Sequence, residues 1–286
     1  MKQKKLVVIA DIHSNYIALK SALDIVDTIN PEGIIFLGDY VSDCPYPQRT
    51  MKMLYEYKSK YKCWFIRGNR EDYQLAHREN PNDGWCYSSA TGSLLYTYEN
   101  LTVADLDFFA SMPECCDIRL DGCPVITACH GSPSATREWI KGKPELLDKY
   151  TRNINGELLL CGHTHKAEVN SINHKTVIFC PSVGLPQDGE NSMRLTVLTC
   201  ENGQWTYEML TFDFHSDSMI NEIYKSGLAD KGKLWMLCMI RELRENKSFA
   251  VPCISLALKK ANEDGYVERP ISEKYWTEAA REIGIL

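Results

Sequence analysis

The feature that most constrains this chain is a series of short apolar runs that each end in an Asp, Asn or His motif. Runs rich in Val, Ile, Leu and Phe that alternate with helical patterns predict a parallel sheet covered by helices. Because the ends of neighbouring strands meet at one edge of a sheet, we expect the motifs to converge on one cleft. In order, they are Asp11-Ile-His13, Gly38-Asp39, Gly68-Asn69-Arg70-Glu71, His130-Gly131 and Gly162-His163-Thr164-His165.

The periodicity of the remaining segments indicates an α/β domain followed by helices. The residue pattern predicts strands at 5–10, 33–38, 63–67, 115–120, 125–129 and 157–161, and further strands between 167 and 212. It predicts helices at 14–29, 47–60, 143–152, 216–226, 230–244, 252–263 and 272–283, and mainly helix from 70 to 112 with a break near 81–84. We therefore predict an α/β domain at residues 1–215 and a helical C-terminal extension at residues 216–286. The apolar side chains of Trp235 and Met239 predict that this extension packs on the domain or on a partner chain, which leaves a homodimer open.

Composition restricts the partners and the compartment of the protein. The 286 residues carry a net charge of −6, and no block of basic residues occurs, so duplex nucleic acid is not an expected partner. No apolar run approaches the length of a membrane span, and the basic start is followed by too short an apolar run for a signal peptide. Several of the 12 cysteines lie inside apolar runs, which favours free thiols in a cytoplasmic protein.

The chemistry of the motif residues indicates a metal centre. Asp, Asn and His without Cys form a donor set that suits Mn, Fe or Zn. Taken singly, Asp11 or Asp39 could be a helix cap and His130 a core histidine. Taken together, the motifs favour a site for two divalent metal ions, which would bind phosphoryl oxygens and lower the pKa of a water molecule. A short Asp such as Asp39 suits a bridge between two metals.

These motifs resemble the signature of the calcineurin-like metallophosphoesterase superfamily. The resemblance extends over about residues 5–227 and implies a four-layer α/β/β/α sandwich with a helical C-terminal extension. It implies attack on phosphorus by a metal-bridging hydroxide, and catalytic roles for Asp39, Asn69, Arg70 and His130. The implied ligands of the first metal are Asp11, His13, Asp39 and His165, and those of the second are Asp39, Asn69, His130 and His163.

Two later segments resemble a branch of bacterial phosphodiesterases and dinucleoside polyphosphate hydrolases. They are His130-Gly-Ser-Pro133 and Pro181-Ser-Val-Gly-Leu-Pro-Gln-Asp-Gly189. The branch implies a phosphodiesterase or phosphoanhydride hydrolase that acts on a small phosphorylated substrate, such as a nucleotide. The chain departs from the branch at Phe179, Pro181 and Gln187, where Asn, Gly and Arg are common.

Three alternatives remain open at this stage. A phosphomonoesterase shares the same ligands, and Gly38-Asp39-Tyr40-Val41 resembles the Ser/Thr protein phosphatases. The arginine that follows this segment in those phosphatases is absent, since Ser42-Asp43-Cys44 stands there. A metal-binding regulatory scaffold with little catalysis is the third alternative.

Arg70 stands where the superfamily carries a histidine that assists the leaving group. A guanidinium cannot act as a general acid near neutral pH, but it can bind phosphoryl oxygens. The alternative is that Arg70 points away and pairs with Glu71 or Asp72. Further candidates for substrate contacts are Arg137, which follows the His130 motif, and two aromatic residues, Tyr46 and Trp85.

Overall fold

The computed structural model describes residues 3–189 and 193–286, and these contain ten strands and ten helices. The strands are β1 (Lys4–Ile9), β2 (Gly33–Phe36), β3 (Cys63–Phe65), β4 (Cys115–Ile118), β5 (Ile126–Cys129), β6 (Leu158–Cys161), β7 (Glu168–Ile172), β8 (Lys175–Phe179), β9 (Met193–Glu201) and β10 (Gln204–Phe212). The helices are α1 (Tyr16–Ile29), α2 (Pro47–Lys60), α3 (Asn69–Glu79), α4 (Gly92–Glu99), α5 (Val103–Ser111), α6 (Pro144–Asn153), α7 (Ser216–Lys225), α8 (Leu228–Glu245), α9 (Ala250–Glu263) and α10 (Glu273–Glu282).

The strands form two five-stranded sheets, with the orders β10-β9-β1-β2-β3 and β4-β5-β6-β8-β7. In the first sheet β1, β2 and β3 are parallel, and in the second β5, β6 and β8 are parallel. Parallel strands carry their carboxyl ends to the same edge of a sheet. Asp39, Asn69, His130 and His163 all follow such ends, so the sheet topology alone brings them near one another.

The two sheets lie face to face, with helices on both outer faces. Because successive strand residues point to opposite faces, Leu6 and Val8 of β1 face Ile126 and Ala128 of β5 between the sheets. The neighbouring Val7 and Ile9 instead face Leu19 of α1 and Met51 of α2. On the far side, Leu147 of α6 packs on Leu159 of β6. These layers confirm the predicted four-layer α/β/β/α sandwich.

The element boundaries differ from the predicted ones in a few places. Helix α1 begins at Tyr16 rather than at residue 14, because Asn15 caps it by accepting a hydrogen bond from the Ala18 amide at 3.1 Å. The mainly helical segment 70–112 is divided into α3, α4 and α5. All four helices predicted after residue 215 are present, each within two residues of the predicted bounds.

The C-terminal helices α7–α10 form a core of their own that also contacts the sandwich. Met236 and Trp276 are fully buried in this core, and Cys44, Tyr96 and Leu185 join it from the sandwich side. Helix α8 lies against α4 so closely that a Cβ atom at Gly92 would come within 2.0 Å of the Lys231 carbonyl oxygen. The extension therefore packs on the sandwich of its own chain.

Two further observations concern membranes and cysteines. None of the helices in residues 3–189 and 193–286 combines the length and the apolar character that crossing a bilayer needs. All twelve cysteines lie within these residues, and each is a free thiol.

Candidate metal centre

The loops after the strands hold their Asp and His residues in an uncommon backbone conformation. Asp11, Asp39, His163 and His165 have φ angles of 53°, 51°, 64° and 56°. Residues other than glycine rarely adopt positive φ, and such positions cluster at functional sites because the surrounding structure must impose them. Backbone hydrogen bonds do so here, since the His13 amide donates to the Asp39 carbonyl at 2.9 Å.

Asp39 is fixed by the close approach of the turn before α3. A Cβ atom at Gly68 would lie 2.3 Å from the Asp39 amide nitrogen and 2.4 Å from its Oδ1, so only glycine fits there. The fully buried Glu71 accepts hydrogen bonds from the amides of Gly68, Asp39 and Tyr40, at 2.9, 2.9 and 2.8 Å. Glu71 therefore clamps two of the motif-bearing loops together, a role that the sequence analysis did not assign.

All seven residues predicted as metal ligands lie together. One group with closely spaced ligand atoms contains Asp11, His13, Asp39 and His165, and a second contains Asp39, His130 and His163. The Asn69 Oδ1 lies 3.2 Å from the His130 Nε2. Asp39 belongs to both groups, with Oδ1 3.3 Å from the His130 Nε2 and Oδ2 3.6 Å from the His13 Nε2. Each oxygen of this carboxylate thus faces a different group.

The hydrogen bonds of the imidazoles set their tautomers. The Nδ1 of His130 lies 2.6 Å from the Leu37 carbonyl oxygen, and the Nδ1 of His165 lies 2.7 Å from the Leu185 carbonyl oxygen. A carbonyl can only accept, so both Nδ1 atoms carry a proton, and each imidazole in its neutral form presents the Nε2 lone pair to the centre. The Nε2 atoms of His165 and His13 are 3.0 Å apart. Lone pairs held this way are suited to a metal cation, and hydrogen bonds of this kind orient metal-binding histidines in proteins.

The pKa values of these side chains also favour the binding of a cation. Burial and the neighbouring positive charge of His130 lower the pKa of His163 to about 3, and burial lowers the pKa of His165. Burial opposes ionisation of Asp39, but the His130, His13 and Arg70 side chains outweigh it and lower its pKa. Burial likewise disfavours a charged His130, yet Asp39 and Asp11 outweigh burial and raise its pKa. The carboxylates therefore require a buried positive charge, which a divalent cation would supply.

A carboxylate that the sequence analysis did not select, Asp43, connects the centre to the C-terminal helices. Its Oδ2 lies 3.1 Å from the His13 Nδ1 and forms an ion pair with the Arg70 guanidinium, 3.0 Å from Nη2. Its Oδ1 accepts a hydrogen bond from the Trp235 Nε1 of α8 at 2.8 Å. Burial opposes ionisation of Asp43, but Arg70, His13 and the hydrogen bond from Trp235 outweigh it and hold the pKa of Asp43 below its ordinary value. Asp43 thus orients both His13, a predicted metal ligand, and Arg70.

Arg70 points into the centre. Its guanidinium pairs with Asp43 and approaches Asp39, with 3.9 Å between the Arg70 Nε and the Asp39 Oδ2, rather than pairing with Glu71 or Asp72. The Trp235 ring lies 5.5 Å from the guanidinium carbon. Among the described residues, the buried Nε of Arg70 has no hydrogen-bond partner. This nitrogen faces the Asp39 carboxylate without a hydrogen bond to it.

Two cavities open onto the cluster and share five residues, namely Asp43, Asn69, Arg70, His163 and Trp235. The first, of about 230 Å³, is otherwise lined by His13, Asp39, Trp139, His165, Leu185, Gln187, Met239, Ala250 and Val251. The second, of about 400 Å³, is otherwise lined by Tyr73, Ser89, Ala90, Ser93, Leu94, Arg137 and Ile254. Most of the residues that line only the first cavity are apolar. The residues that line only the second include side chains with hydroxyl groups and an arginine.

The remaining candidates from the sequence have different outcomes. Arg137 lines the second cavity, whereas Tyr46 and Trp85 line neither of the two. Tyr46 lies against the Arg49 guanidinium, and Trp85 stacks on His77 with 4.1 Å between the ring centroids. Trp139 and Trp235 are the aromatic residues that do line the cavities. In the sequence, the apolar pattern around residue 235 was a signal for Trp235, whereas no signal pointed to Trp139.

Residues 4–167 match the family model for calcineurin-like phosphoesterases. The chain belongs to the calcineurin-like phosphoesterase family. It is therefore a metal-dependent phosphoesterase, as the sequence analysis predicted, and its cluster of Asp and His residues could hold the divalent metals that the family uses.

This phosphoesterase also resembles individual proteins along most of its length. An uncharacterized protein of Methanocaldococcus jannaschii is 24% identical over 247 residues, which cover 80% of this chain and 96% of the relative. The crystal structure of a hypothetical protein from Pyrococcus horikoshii aligns with a TM-score of 0.71 at 18% identity, over 86% of this chain and 99% of that chain. A metallophosphoesterase from Sphaerobacter thermophilus aligns with a TM-score of 0.64 at 19% identity, over 85% of this chain and 99% of that chain. These structures show the fold.

Proposed function

We propose that this phosphoesterase hydrolyses a phosphodiester or phosphoanhydride bond in a small, nucleotide-like molecule. The single observation that carries the proposal is the pair of cavities that meet at Asn69, Arg70 and His163. The phosphorus of a diester, like an internal phosphorus of an anhydride, carries two substituents, whereas the phosphorus of a monoester carries one. Two cavities with different walls can take two different substituents, one apolar or aromatic and one polar.

We assign the ligands of two divalent metals, Mn, Fe or Zn, on the chemistry of the donor set. Asp11, His13 and His165 would hold one metal, and Asn69, His130 and His163 the other, with Asp39 shared between them. The orientation of the imidazoles toward the centre and the buried carboxylates fit this assignment. When bound, such a pair of metals supplies Lewis acidity that activates water and neutralises phosphoryl charge.

The protein side chains would position the substrate. Arg70 would bind a phosphoryl oxygen through its guanidinium group, which the ion pair with Asp43 orients. Burial disfavours the charge of Arg70, but Asp43 and Asp39 outweigh it and raise the pKa of the guanidinium, so Arg70 cannot protonate a leaving group. Substrates with good leaving groups, such as anhydrides and phosphorylated fragments, are therefore favoured.

The first cavity supports a base or another flat ring as one substituent. The Trp139 ring is 41% exposed and lies 5.9 Å from the His163 ring, so a planar group next to the metals could stack on it. Trp235, Met239 and Val251 complete an apolar wall. The likeness to bacterial phosphodiesterases in the His130 motif and in the segment from Pro181 to Gly189 supports the same substrate class.

Paired aryl substrates test the proposal. Metal-stripped protein reloaded with Mn is assayed on bis-p-nitrophenyl phosphate and on p-nitrophenyl phosphate. We expect Mn-dependent hydrolysis with preference for the diester. Preference for the monoester would indicate a phosphomonoesterase or a protein phosphatase instead. No hydrolysis of either ester with two metals bound per chain would favour the regulatory scaffold.

A second assay tests the base. We expect the p-nitrophenyl ester of thymidine 5′-monophosphate to be hydrolysed more efficiently than methyl p-nitrophenyl phosphate. Because stacking on an aromatic ring contributes about 1–3 kcal/mol per base, Trp139→Ala should reduce this preference by about tenfold and Trp139→Phe by less. Equal rates for the two diesters in the unmodified protein would contradict the nucleotide assignment.

A further inference from the structure

The second cavity contains a positive charge that no carboxylate compensates. Asp43 is the only carboxylate among its lining residues, and Asp43 is already engaged by Arg70, His13 and Trp235. The Arg137 guanidinium has no ion-pair or hydrogen-bond partner within residues 3–189 and 193–286. The guanidinium lies over the Tyr73 ring, with 5.2 Å between the guanidinium carbon and the ring centroid.

The two arginines of the cavity share that ring. The Arg70 guanidinium carbon lies 5.9 Å from the Tyr73 ring centroid, so Tyr73 stands near both guanidinium groups. The Tyr73 hydroxyl has no hydrogen-bond partner among the described residues. The other hydroxyls of the cavity are occupied, because Ser89 donates to Glu273 at 2.6 Å and the Ser93 hydroxyl donates to Asp43 at 3.3 Å. Apart from Asn69 and Arg70 at the metal centre, Arg137 and Tyr73 are therefore the side-chain donors of this cavity that remain for a ligand.

The backbone that carries Arg137 is well fixed, although its side chain is exposed. Thr136, the preceding residue, donates from its hydroxyl to the Asp72 carboxylate of α3 at 2.6 Å. The Ser132 amide donates to the Ala135 carbonyl oxygen at 3.0 Å, and the Ser132 hydroxyl accepts from the Ala135 amide at 3.1 Å. A Cβ atom at Gly131 would come within 2.5 Å of the Thr136 carbonyl oxygen. An unpaired arginine on a fixed turn beside the metal ligands is a suitable anion-binding group.

We propose that the cavity lined by Arg137, Tyr73 and Arg70 is a subsite for a second anionic group of the substrate, a carboxylate or a phosphate. The inference rests on the proposed function, since the first phosphoryl group would occupy the metal centre. The guanidinium fork of Arg137 and the Tyr73 hydroxyl would donate to the anionic oxygens. Substrates with a negative charge on one substituent would then be preferred over neutral ones of the same shape.

Binding of matched phosphonates tests the subsite without turnover. Calorimetry on the Mn-loaded protein compares phenylphosphonate with 4-carboxyphenylphosphonate and 1,4-phenylenebisphosphonate. All three present the same phosphonate to the metals, and the last two add a carboxylate or a phosphonate. Because a charge-assisted hydrogen bond is among the stronger ones, we expect at least one of the two ligands with a second anionic group to bind about tenfold more tightly than phenylphosphonate. The ligand with the larger gain identifies the anion.

Three variants assign the gain to Arg137. Arg137→Ala should reduce the affinity ratio to near one, and Arg137→Lys should keep part of it, since lysine retains the charge but loses the fork. Arg152→Ala is the matched control, because it removes the same charge from an exposed residue of α6 that pairs with Asp148. A ratio that is near one in the unmodified protein, or that is unchanged in Arg137→Ala, overturns the subsite.

The two proposals fail in different ways. If bis-p-nitrophenyl phosphate is hydrolysed but the phosphonates bind equally, the subsite is wrong and the diester proposal stands. If only the monoester is hydrolysed while the ratio depends on Arg137, the diester proposal is wrong and the subsite stands.

Discussion

The metal centre and the walls around it are built in opposite ways. The centre consists of buried polar side chains on loops that follow parallel strands, all before residue 166. Its ligand positions are fixed by backbone hydrogen bonds and by positive φ angles at Asp11 and Asp39. The wall of the first cavity instead contains apolar side chains such as Met239 and Val251, from helices after residue 227. The Asp and His cluster and this apolar wall thus come from different parts of the chain.

Asp43 is the point where these two regions meet. It contacts His13 in the centre and Trp235 in the extension. A second connection is Glu242 of α8, whose Oε1 accepts hydrogen bonds from the amides of Phe249 and Ala250 at 2.6 and 2.7 Å. Its Oε2 accepts from the Gln187 Nε2 at 2.9 Å. Substitutions at these residues can distinguish an effect on metal binding from an effect on the apolar wall of the first cavity.

The largest effect is expected from a change in the centre itself. Asp39→Asn removes the charge that both ligand groups share, so Mn content should fall and kcat/KM for the aryl ester should drop by about 10³-fold or more. Metal analysis and steady-state kinetics measure the two effects. The control is Asp107→Asn on the exposed surface of α5, which should change neither. Full activity in Asp39→Asn would rule out the assigned bridging role.

The next effect concerns the pH dependence of stability at the connection to α9. Burial raises the pKa of Glu242 from 4.5 to about 7. The folded protein therefore binds this proton more tightly than the unfolded chain, and the contribution of Glu242 to stability falls as pH rises from about 4.5 to 7. Over this pH range the free energy of unfolding should fall by up to about 3 kcal/mol because of Glu242, and this fall should be absent in Glu242→Gln.

Urea unfolding at several pH values measures this loss as the difference between the unmodified protein and each variant. Glu245→Gln is the control, since this exposed glutamate lies on the same helix and pairs with Arg241. An identical slope of stability against pH in Glu242→Gln and the unmodified protein would show that Glu242 does not titrate in this window.

A smaller effect is expected from the hydrogen bond between the two regions. Trp235→Phe keeps an aromatic ring but loses the donor to Asp43, so kcat/KM should fall by about tenfold, given about 1–1.5 kcal/mol for such a bond. Mn content should stay the same because every ligand remains. Trp205→Phe is the control, since its Nε1 donates to the Pro124 carbonyl oxygen at 2.9 Å away from the site. Loss of Mn in Trp235→Phe would mean that the wall also holds the centre together.

The smallest effect is expected at an aromatic residue outside both cavities. Trp85 stacks on His77 and lines neither cavity, so Trp85→Ala should leave kcat/KM within about twofold, as surface changes away from a site usually do. The same assay on Trp139→Ala gives the contrast. A large loss of activity in Trp85→Ala would extend the substrate site beyond the two cavities.

Much of the centre could be predicted from the sequence because its signal is local. Each ligand directly follows an apolar run, and parallel strands deliver such positions to one edge regardless of the loop details. The bounds of α2, Pro47–Lys60, were predicted without error, because Pro favours the first turn of a helix and the apolar spacing covers the whole segment. The role of Arg70 was left between two alternatives, since its partner Asp43 is 27 residues away in a loop without a motif.

The sequence alone determined the α/β class and the family, and it selected the seven residues that the fold brings together, because strand periodicity and short motifs are read within a few residues. The tertiary structure decided that α8 and α9 wall the site, that Trp235 bonds to Asp43, and that Arg137 lies unpaired beside Tyr73. These contacts join segments that are 192 residues apart for Trp235 and Asp43, and 64 apart for Arg137 and Tyr73. The apolar residues of a helix do not specify in the sequence which surface they pack on, so only the folded chain shows which side chains meet.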